Sequence, residues 1–359
     1  MRNLSKWSRL YYLLRARLNI PILDLKSNTE IELTNRLKMW GKGFLSEKHY
    51  YYSLNKNDFR DYLTDHQRAA ARFINHPYTE ILNSKLLFEM AFSKVVKVPK
   101  TYGVILDGLI YLLGKNGYLE LKGNSDQADF IEDLCQKHGK IVLKPIMGAF
   151  GKGVMVASRI SSNEYLVNLK EFNRENLNNS LKKLNNYLIT EFIKQGNHPD
   201  KLYPSATNTL RILTMYDYKK QEPFIAAAAR RIGTDTSAPL DNNARGGMTV
   251  NINIDSGMLG PAAQLAAKGL IWHDRHPDTA VNIKGEITPS WPRIKSKLLE
   301  LANGFPYLKY VGWDIVDTNN DIVFLEGNNQ SNVRVWQIHN PLLKDQRAKD
   351  FFRYHKVIN

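Results

Sequence analysis

A tight polar turn between two apolar runs constrains this chain most. Residues 311–329 read Val-Gly-Trp-Asp-Ile-Val-Asp, then Thr-Asn-Asn-Asp, then Ile-Val-Phe-Leu-Glu-Gly-Asn-Asn. Two strands joined this closely pair antiparallel. Asp314 lies inside the first run, and Glu326 and Asn328 close the second. Residues two apart in extended chain share a face, so Glu326 and Asn328 point the same way. If Asn319 to Asp321 make the turn, the register sets Asp314 opposite Glu326. Three oxygen donors among apolar neighbours suit one or two hard cations, most simply Mg2+. An ordinary hairpin with polar residues on its wet face would leave the same pattern.

The chain has 359 residues, room for two or three domains and a large core. Its 43% apolar and 24% charged content is that of a soluble globular protein. No apolar run approaches the roughly 18 residues a membrane span needs. No apolar segment followed by a small-residue cleavage site marks the N-terminus. One cysteine, Cys135, leaves no internal disulfide and fits a reducing compartment, so the expected location is the cytoplasm.

A net charge of +15 speaks to partners: nucleic acid, nucleotide, phosphorylated sugar or a membrane surface. The first twenty residues hold Arg2, Lys6, Arg9, Arg15 and Arg17 and no acid. Trp7, Leu10, Tyr11, Leu14 and Leu18 recur among them at spacings of three and four. That is a basic amphipathic helix, which either lies on an anionic bilayer, at the cytoplasmic side, or docks on the protein's own body. Nucleic acid is disfavoured: no zinc-finger, helix-turn-helix or RNA-recognition pattern is present, and the aromatics do not interleave with the basic residues as a stacking surface would.

Residues 1–80 read as mainly helical, with patterns over 50–63 and 65–74. Asn83 can cap a helix that runs to Phe92. Pro99 blocks its continuation, and short strands follow at 104–106 and 111–113. The pattern predicts a helix over 126–138, ended by Gly139, strands at 141–144 and 154–158, a polar helix over 163–186, and a strand at 188–193. The second half alternates strand runs (210–216, 224–231, 248–254) with loops before a helix over 292–303. The class is α+β with antiparallel sheets, not a doubly wound parallel fold.

Four further stretches carry chemistry. Lys144 ends a strand, and a turn with Gly148, Gly151, Lys152 and Gly153 leads into the next. Glycines admit phosphate close to backbone N–H groups, and the lysines add charge. It is not a Walker A loop, because no Gly-Lys-Ser/Thr ending or following helix is present. A surface hairpin would look alike. The strand at 188–193 carries Glu191, Phe192 and Ile193, whose backbone could read an adenine edge or simply extend a sheet. Arg211 sits in an otherwise apolar strand and needs a carboxylate or a phosphate; Arg230 and Arg231 repeat the theme. Gly246 and Gly247 follow the polar loop from Asp241, for ligand approach or for turn geometry. His273, His276 and His339 are scattered without zinc spacing.

In collinear order over residues 80–340 these pieces resemble the ATP-grasp superfamily, and within it the sugar-transfer-associated branch, similar to alpha-L-glutamate ligase-like proteins of polysaccharide biosynthesis. The resemblance rests on Asn83-Ser-Lys-Leu-Leu, Lys144-Pro with its glycine-rich turn, Glu191-Phe-Ile, Asn208-Thr-Leu-Arg-Ile and Arg231-Ile-Gly. It continues through Asp241-Asn, Gly246-Gly, His276-Pro, Gly312-Trp-Asp and Glu326-Gly-Asn. Residues 243–245 depart from the family pattern.

The resemblance implies an ATP-grasp fold in which two α+β subdomains (81–195 and 196–359) sandwich ATP after a helical region over 1–80. Lys85 and Lys144 would hold the phosphates, with Gly148, Gly151, Lys152 and Gly153 in a mobile flap. Glu191, Phe192 and Ile193 would line the adenine pocket. Asp314, Glu326 and Asn328 would hold two Mg2+ ions, with Mn2+ able to substitute. Arg211 and Arg231 would stabilise the transferring phosphoryl group. The family reaction turns a carboxylate into an acyl phosphate and then an amide. The expected partners are ATP, a carboxylate and an amine, one of them a sugar nucleotide or lipid-linked saccharide. Phosphoryl transfer to a sugar hydroxyl, or plain polyanion binding, are the alternatives.

Overall fold

The structure is a computed structural model that describes residues 6–27, 29–113, 119–121, 127–148 and 151–359. Arg2, Asp126 and residues 149–150 of the expected flap lie outside the described residues, as do the side chains of Lys6, Trp7 and Arg9. In chain order the first elements are helices α1 (Lys6–Leu25), α2 (Leu33–Lys42), α3 (Lys48–Tyr51), α4 (Asp65–Ala71), α5 (Thr79–Asn83) and α6 (Lys85–Phe92). Strands β1 (Thr101–Leu106), β2 (Leu109–Leu113) and β3 (Leu119–Leu121) precede α7 (Gln127–His138). Next come β4 (Lys140–Pro145), β5 (Met155–Ser161), β6 (Glu164–Val167), β7 (Lys170–Asn173), α8 (Arg174–Leu181), β8 (Tyr187–Glu191) and α9 (Asn197–Leu202). The rest is β9 (Leu210–Asp217), β10 (Glu222–Ile232), β11 (Met248–Ile252), β12 (Leu259–Ala266), β13 (Gly269–His273), α10 (Trp291–Gly304), β14 (Tyr310–Asp317), β15 (Ile322–Asn328), α11 (Arg334–Gln337) and α12 (Gln346–Tyr354).

Two compact units emerge: Met1–Thr79 with Asn197–Asp317 and Gly327–Asn359, and Glu80–Gly196 with Thr318–Glu326. Helices α1 to α4 therefore belong to the first unit. One sheet has the order β3-β2-β1-β8-β4-β5-β6-β7 and the other β13-β12-β11-β10-β9-β14-β15. The described ladders are antiparallel, as an α+β chain with short returns requires.

In the second unit, Ile131, Leu134 and Cys135 on the inner stripe of α7 pack on Ile141, Leu143, Ala157, Tyr165 and Ile189 of the sheet. Cys135 is spent in this core. In the first unit, β9, β10 and β14 supply Leu213, Met215, Ala229 and Tyr310, and α12 supplies Phe351 and Phe352. Leu63, Ala70 and Ala71 from the N-terminal region fill the same core.

The helical pattern expected over 50–63 is helical only to Tyr51, followed by turns and a 3-10 turn at Phe59–Asp61, and three further local expectations differ from the structure. Residues 163–186 form no continuous helix. Tyr165 and Val167 are buried and alternate with outward neighbours, a period of two. Asn168 and Leu169 at φ +48° and +66° then turn β6 back into β7, the mirror-image turn that suits a two-residue hairpin loop. Only α8 is helical, capped by Asn173, whose side chain accepts the Asn176 N–H at 2.8 Å. Secondly, Ser84 rather than Asn83 caps α6, accepting the Leu87 N–H at 3.3 Å. Thirdly, Thr318 N–H donates to the Asp321 carbonyl at 2.9 Å, and Thr318 Oγ1 accepts the Asp321 N–H at 2.8 Å. Those bonds close a loop of Asn319 and Asn320, one residue shorter than the turn that the expected register required.

Candidate active site

In the first unit, strand register assembles the charged residues. Arg211 on β9 pairs across the ladder with Asp314 on β14, so their side chains share a face. Arg211 Nη1 donates to Asp314 Oδ1 at 2.5 Å. Arg231 on β10 approaches the other oxygen, Nη2 to Oδ2, at 3.4 Å. Its Nε donates to Thr209 Oγ1 at 2.8 Å and lies 3.4 Å from Asp241 Oδ2. Asp241 also accepts the Thr209 N–H at 2.9 Å. Two guanidiniums thus meet two carboxylates in a hydrogen-bonded strip, with Asp314 almost wholly removed from water.

Arg230 points to the opposite face, as strand alternation demands. It is fully buried, and its Nη1 and Nη2 donate to Asp317 at 3.1 Å each. Ser290 Oγ donates to the same carboxylate at 3.0 Å. Burial alone would raise the Asp317 carboxyl, but Arg230 and Ser290 outweigh it and hold it below the usual range. The neighbouring arginines therefore divide: Arg231 joins the strip with Asp314, and Arg230 is a structural ion pair.

At the end of β15, Asn328 Nδ2 donates to the Gly312 carbonyl at 3.2 Å. A Cβ on Gly312 would come within 1.8 Å of Ser331 Oγ, so only glycine lets these segments approach.

A second charged cluster in the first unit involves residues the sequence pattern did not single out. Arg334 Nη2 donates to Asn243 Oδ1 at 3.4 Å and Nη1 to Glu47 Oε1 at 3.1 Å. Its guanidinium stands 5.7 Å from the Tyr51 ring centre. Its Nε is buried with no hydrogen-bond partner. Lys48, also buried, pairs with Glu47. Burial pushes the Glu47 carboxyl up, yet Lys48 and Arg334 together hold it below its ordinary value. No sequence signal marks this cluster: that the short α3 buries Lys48 is visible only in the structure. The loop at 243–245, where the family pattern breaks, touches this cluster through Asn243.

In the second unit, Lys144 ends β4, and Lys85 opens α6. The Lys85 N–H donates to the Ile146 carbonyl at 2.9 Å, which ties α6 to the chain leaving β4. Lys85 Nζ donates to the Gly148 carbonyl at 3.2 Å and lies 3.3 Å from Glu326 Oε2. Burial, with Lys85 adding to it, pushes Lys144 down to about 8 against the opposing pull of Glu326 and Glu89. Gly153 has φ +78°, and a Cβ there would meet the Tyr187 hydroxyl at 2.6 Å. Gly151 lies in the same turn, and Lys152 is exposed.

β8 is an interior strand, flanked by β1 and β4. Its ladder with β4 ends at Ile141 opposite Glu191, and the Glu191 N–H donates to the Lys100 carbonyl at 2.8 Å. Phe192 and Ile193 run on past the strand, Ile193 buried and Phe192 beneath the Lys140 ammonium at 5.5 Å. The histidines are structural: His276, buried, bonds to the Gly233 carbonyl at 2.8 Å, and His339 to Thr249 Oγ1 at 3.0 Å. Gly246, at φ +99°, ends a short 3-10 turn.

Two antiparallel sheets, a lysine-bearing strand before a glycine turn and a carboxylate set between arginines together define an ATP-grasp protein. The family model for sugar-transfer associated ATP-grasp matches residues 67–350, and the chain belongs to that family. No curated protein matches it. Among solved structures, biotin carboxylase from Campylobacter jejuni, in complex with an ATP compound, is similar at 10% identity and TM-score 0.41; the match covers 78% of this chain and 47% of that one. The D-alanine–D-alanine ligase of Coxiella burnetii is 11% identical at TM-score 0.35, covering 77% and 59%. N5-carboxyaminoimidazole ribonucleotide synthetase from Thermus thermophilus is 12% identical at TM-score 0.39, covering 77% and 57%. The chain thus spans about half the length of such proteins.

Proposed function

We propose that this protein is an ATP- and Mg2+-dependent ligase that joins a carboxylate to an amine in polysaccharide or glycoconjugate assembly, with a sugar nucleotide or lipid-linked saccharide as one substrate. The observation that carries the reading is the pairing of Lys144 with Lys85 beside the glycine turn. Burial, with Lys85 adding to it, lowers the Lys144 ammonium, and Lys85 Nζ lies 3.3 Å from Glu326 Oε2. Such a site gains most from an incoming polyanion, and triphosphate oxygens are the ligand its chemistry fits.

The reaction needs little covalent work from side chains. A substrate carboxylate oxygen attacks the γ-phosphorus and ADP departs. The amine then attacks the acyl carbon, phosphate departs and the ammonium loses a proton. Lys85 and Lys144 would hold the phosphates in line, and Arg231 would steady the charge of the transferring group. Arg211, gripped by Asp314, would keep that carboxylate oriented. Glu191, Phe192 and Ile193 would present the chain beyond β8 to the adenine. Gly148, Gly151, Lys152 and Gly153 would close over the phosphates and keep water from the acyl phosphate.

Carboxylate and amide oxygens are the donors a hard cation such as Mg2+ takes. Among the described residues no group of three or more His, Cys, Asp or Glu could by itself hold a metal ion. Mg2+ is usually held by one or two carboxylates together with substrate phosphates, not by an all-protein cage. Asp314, Glu326 and Asn328 would hold it, with Mn2+ a workable replacement, and it would draw negative charge from the β- and γ-phosphates. Lys48, Arg334 and Asn243 would bind the anionic part of the acceptor.

A screen of ADP release with Mg-ATP over amino acids and nucleotide-linked uronic acids, with products weighed, tests the proposal. ADP release that needs both substrates, with a product one water lighter than their sum, is the expected result. A product heavier than the sugar by a phosphoryl group would replace the ligase with a kinase.

A further inference from the structure

Helix α1 has two apolar faces, and among the described residues only one is packed. Tyr12, Leu13 and Ile20 turn inward. Tyr12 meets Phe73 edge-on at 5.1 Å, with the Arg72 guanidinium 4.7 Å from the Tyr12 ring centre, and Leu13 packs on the main core of the first unit. Asp24 anchors the helix end: its carboxylate accepts the Ser46 N–H at 2.7 Å and the Trp40 Nε1–H at 3.0 Å, and lies 3.3 Å from Arg36. The helix docks, but not by Leu10, Tyr11, Leu14 or Leu18, which the sequence pattern marked. Leu10, Tyr11, Leu14, Leu18, Ile22 and Leu25 remain between 47% and 71% exposed.

Each helical residue turns the chain by about 100°. Those six side chains therefore fall within an arc of roughly 120°, on the side away from Ile20. Arg15 and Lys26, both exposed, border one edge of the arc and Arg17 the other. The following helix, α2, also exposes two leucines, Leu33 and Leu37, about one turn apart, with exposed Lys38 next to Leu37 in sequence. Residues 6–42 carry eight Lys/Arg and three acids. Two of those acids are engaged, Asp24 with Arg36 and Glu30 with Lys268.

We propose that this face seats the protein on an anionic lipid bilayer, with α1 lying in the plane of the interface. A leucine stripe rimmed by cations is the composition that buries its apolar side among acyl chains while its charges meet lipid phosphates. No described helix is long and apolar enough to cross a membrane, which agrees with an in-plane contact. Self-association through the same face would set the basic borders of two copies against each other, whereas anionic lipid neutralises them. The inference stands apart from the ligase reading, because vesicle binding is measured without nucleotide.

The test is co-sedimentation of the full chain with vesicles of phosphatidylcholine alone or with roughly a third phosphatidylglycerol. Binding to the anionic vesicles, weakened by salt, is expected. Leu14→Glu with Leu18→Glu should reduce it by roughly tenfold or more, and Arg15→Glu with Lys26→Glu should remove its preference for phosphatidylglycerol. Both pairs are exposed, so melting temperature should hold. No binding to either vesicle overturns the proposal. So does a concentration-dependent dimer in solution that the leucine substitutions dissolve, since that assigns the face to a second copy.

Discussion

Asp314 and Glu326 have the same expected role and opposite surroundings. Asp314 is buried and bonded to Arg211 and Arg231, while Glu326 is more open and pairs with Lys85. Asp314→Asn leaves two guanidiniums short of a carboxylate and should cost about 3 kcal/mol as well as ADP formation. Glu326→Gln should abolish ADP formation at a cost of about 1 kcal/mol or less. Thermal melts beside ADP-release assays check the contrast; wild-type turnover in both would remove these residues from the site. Lys144 supplies a pH signature. Its ammonium is lowered to about 8 in the free protein, so it is charged at neutral pH and discharges as pH rises through 8. Bound phosphate favours the charged form. ATP affinity should therefore fall above pH 8, and Lys144→Met should weaken binding and flatten that fall. Calorimetric titration with ATP from pH 6.5 upward reads both effects. These residue types could be named from sequence because a charge inside an apolar run has few explanations. Their partners could not: Arg230 and Arg231 look equivalent as letters, and only the pleat sends one to Asp317 and the other towards Asp314.

Elements with their own punctuation were legible, and those shaped by burial were not. Gly139 at φ +76° ends α7 where expected, and the Gly139 N–H reaches the Cys135 carbonyl at 2.7 Å. Residues 163–186 misled because polar composition outweighed the alternation of Tyr165 and Val167. The glycine turn after β4 yields a prediction at this scale. Gly153→Ala forces a Cβ against the Tyr187 hydroxyl in a left-handed backbone conformation. The turn should be displaced at a cost of about 1–3 kcal/mol, enough to raise the KM for ATP severalfold while kcat at saturation changes less. Gly153→Ala combined with Tyr187→Phe removes the hydroxyl that the new methyl meets. Partial recovery of KM would separate the clash from the backbone strain, which the double variant retains.

At the scale of the whole molecule, the family match begins at residue 67, but the first unit does not. Leu63 N–H donates to Gln337 Oε1 at 2.7 Å, and Gln337 Nε2 donates back to the Leu63 carbonyl at 3.1 Å. Met39, Phe44, Tyr52, Leu54 and Tyr62 form a core of their own with Ala263 and Ile338. Removing residues 1–66 strips partners from Gln337, leaving buried amide atoms that each cost about 1–3 kcal/mol, and uncovers Ala263 and Ile338. The sequence showed this region as helical but gave no sign of its attachment, because the residues that hold it lie some 270 positions away. A chain starting at residue 67 should thus aggregate or melt far below the full protein. One starting at residue 29 keeps Met39 to Leu63 and loses only α1 with its anchor at Asp24, so it should stay folded with a modestly lower melting temperature. Circular dichroism melts of the three lengths decide the matter: a cooperative, full-stability transition for the chain from 67 would show that the N-terminal helices are an appendage, not part of the first unit's core.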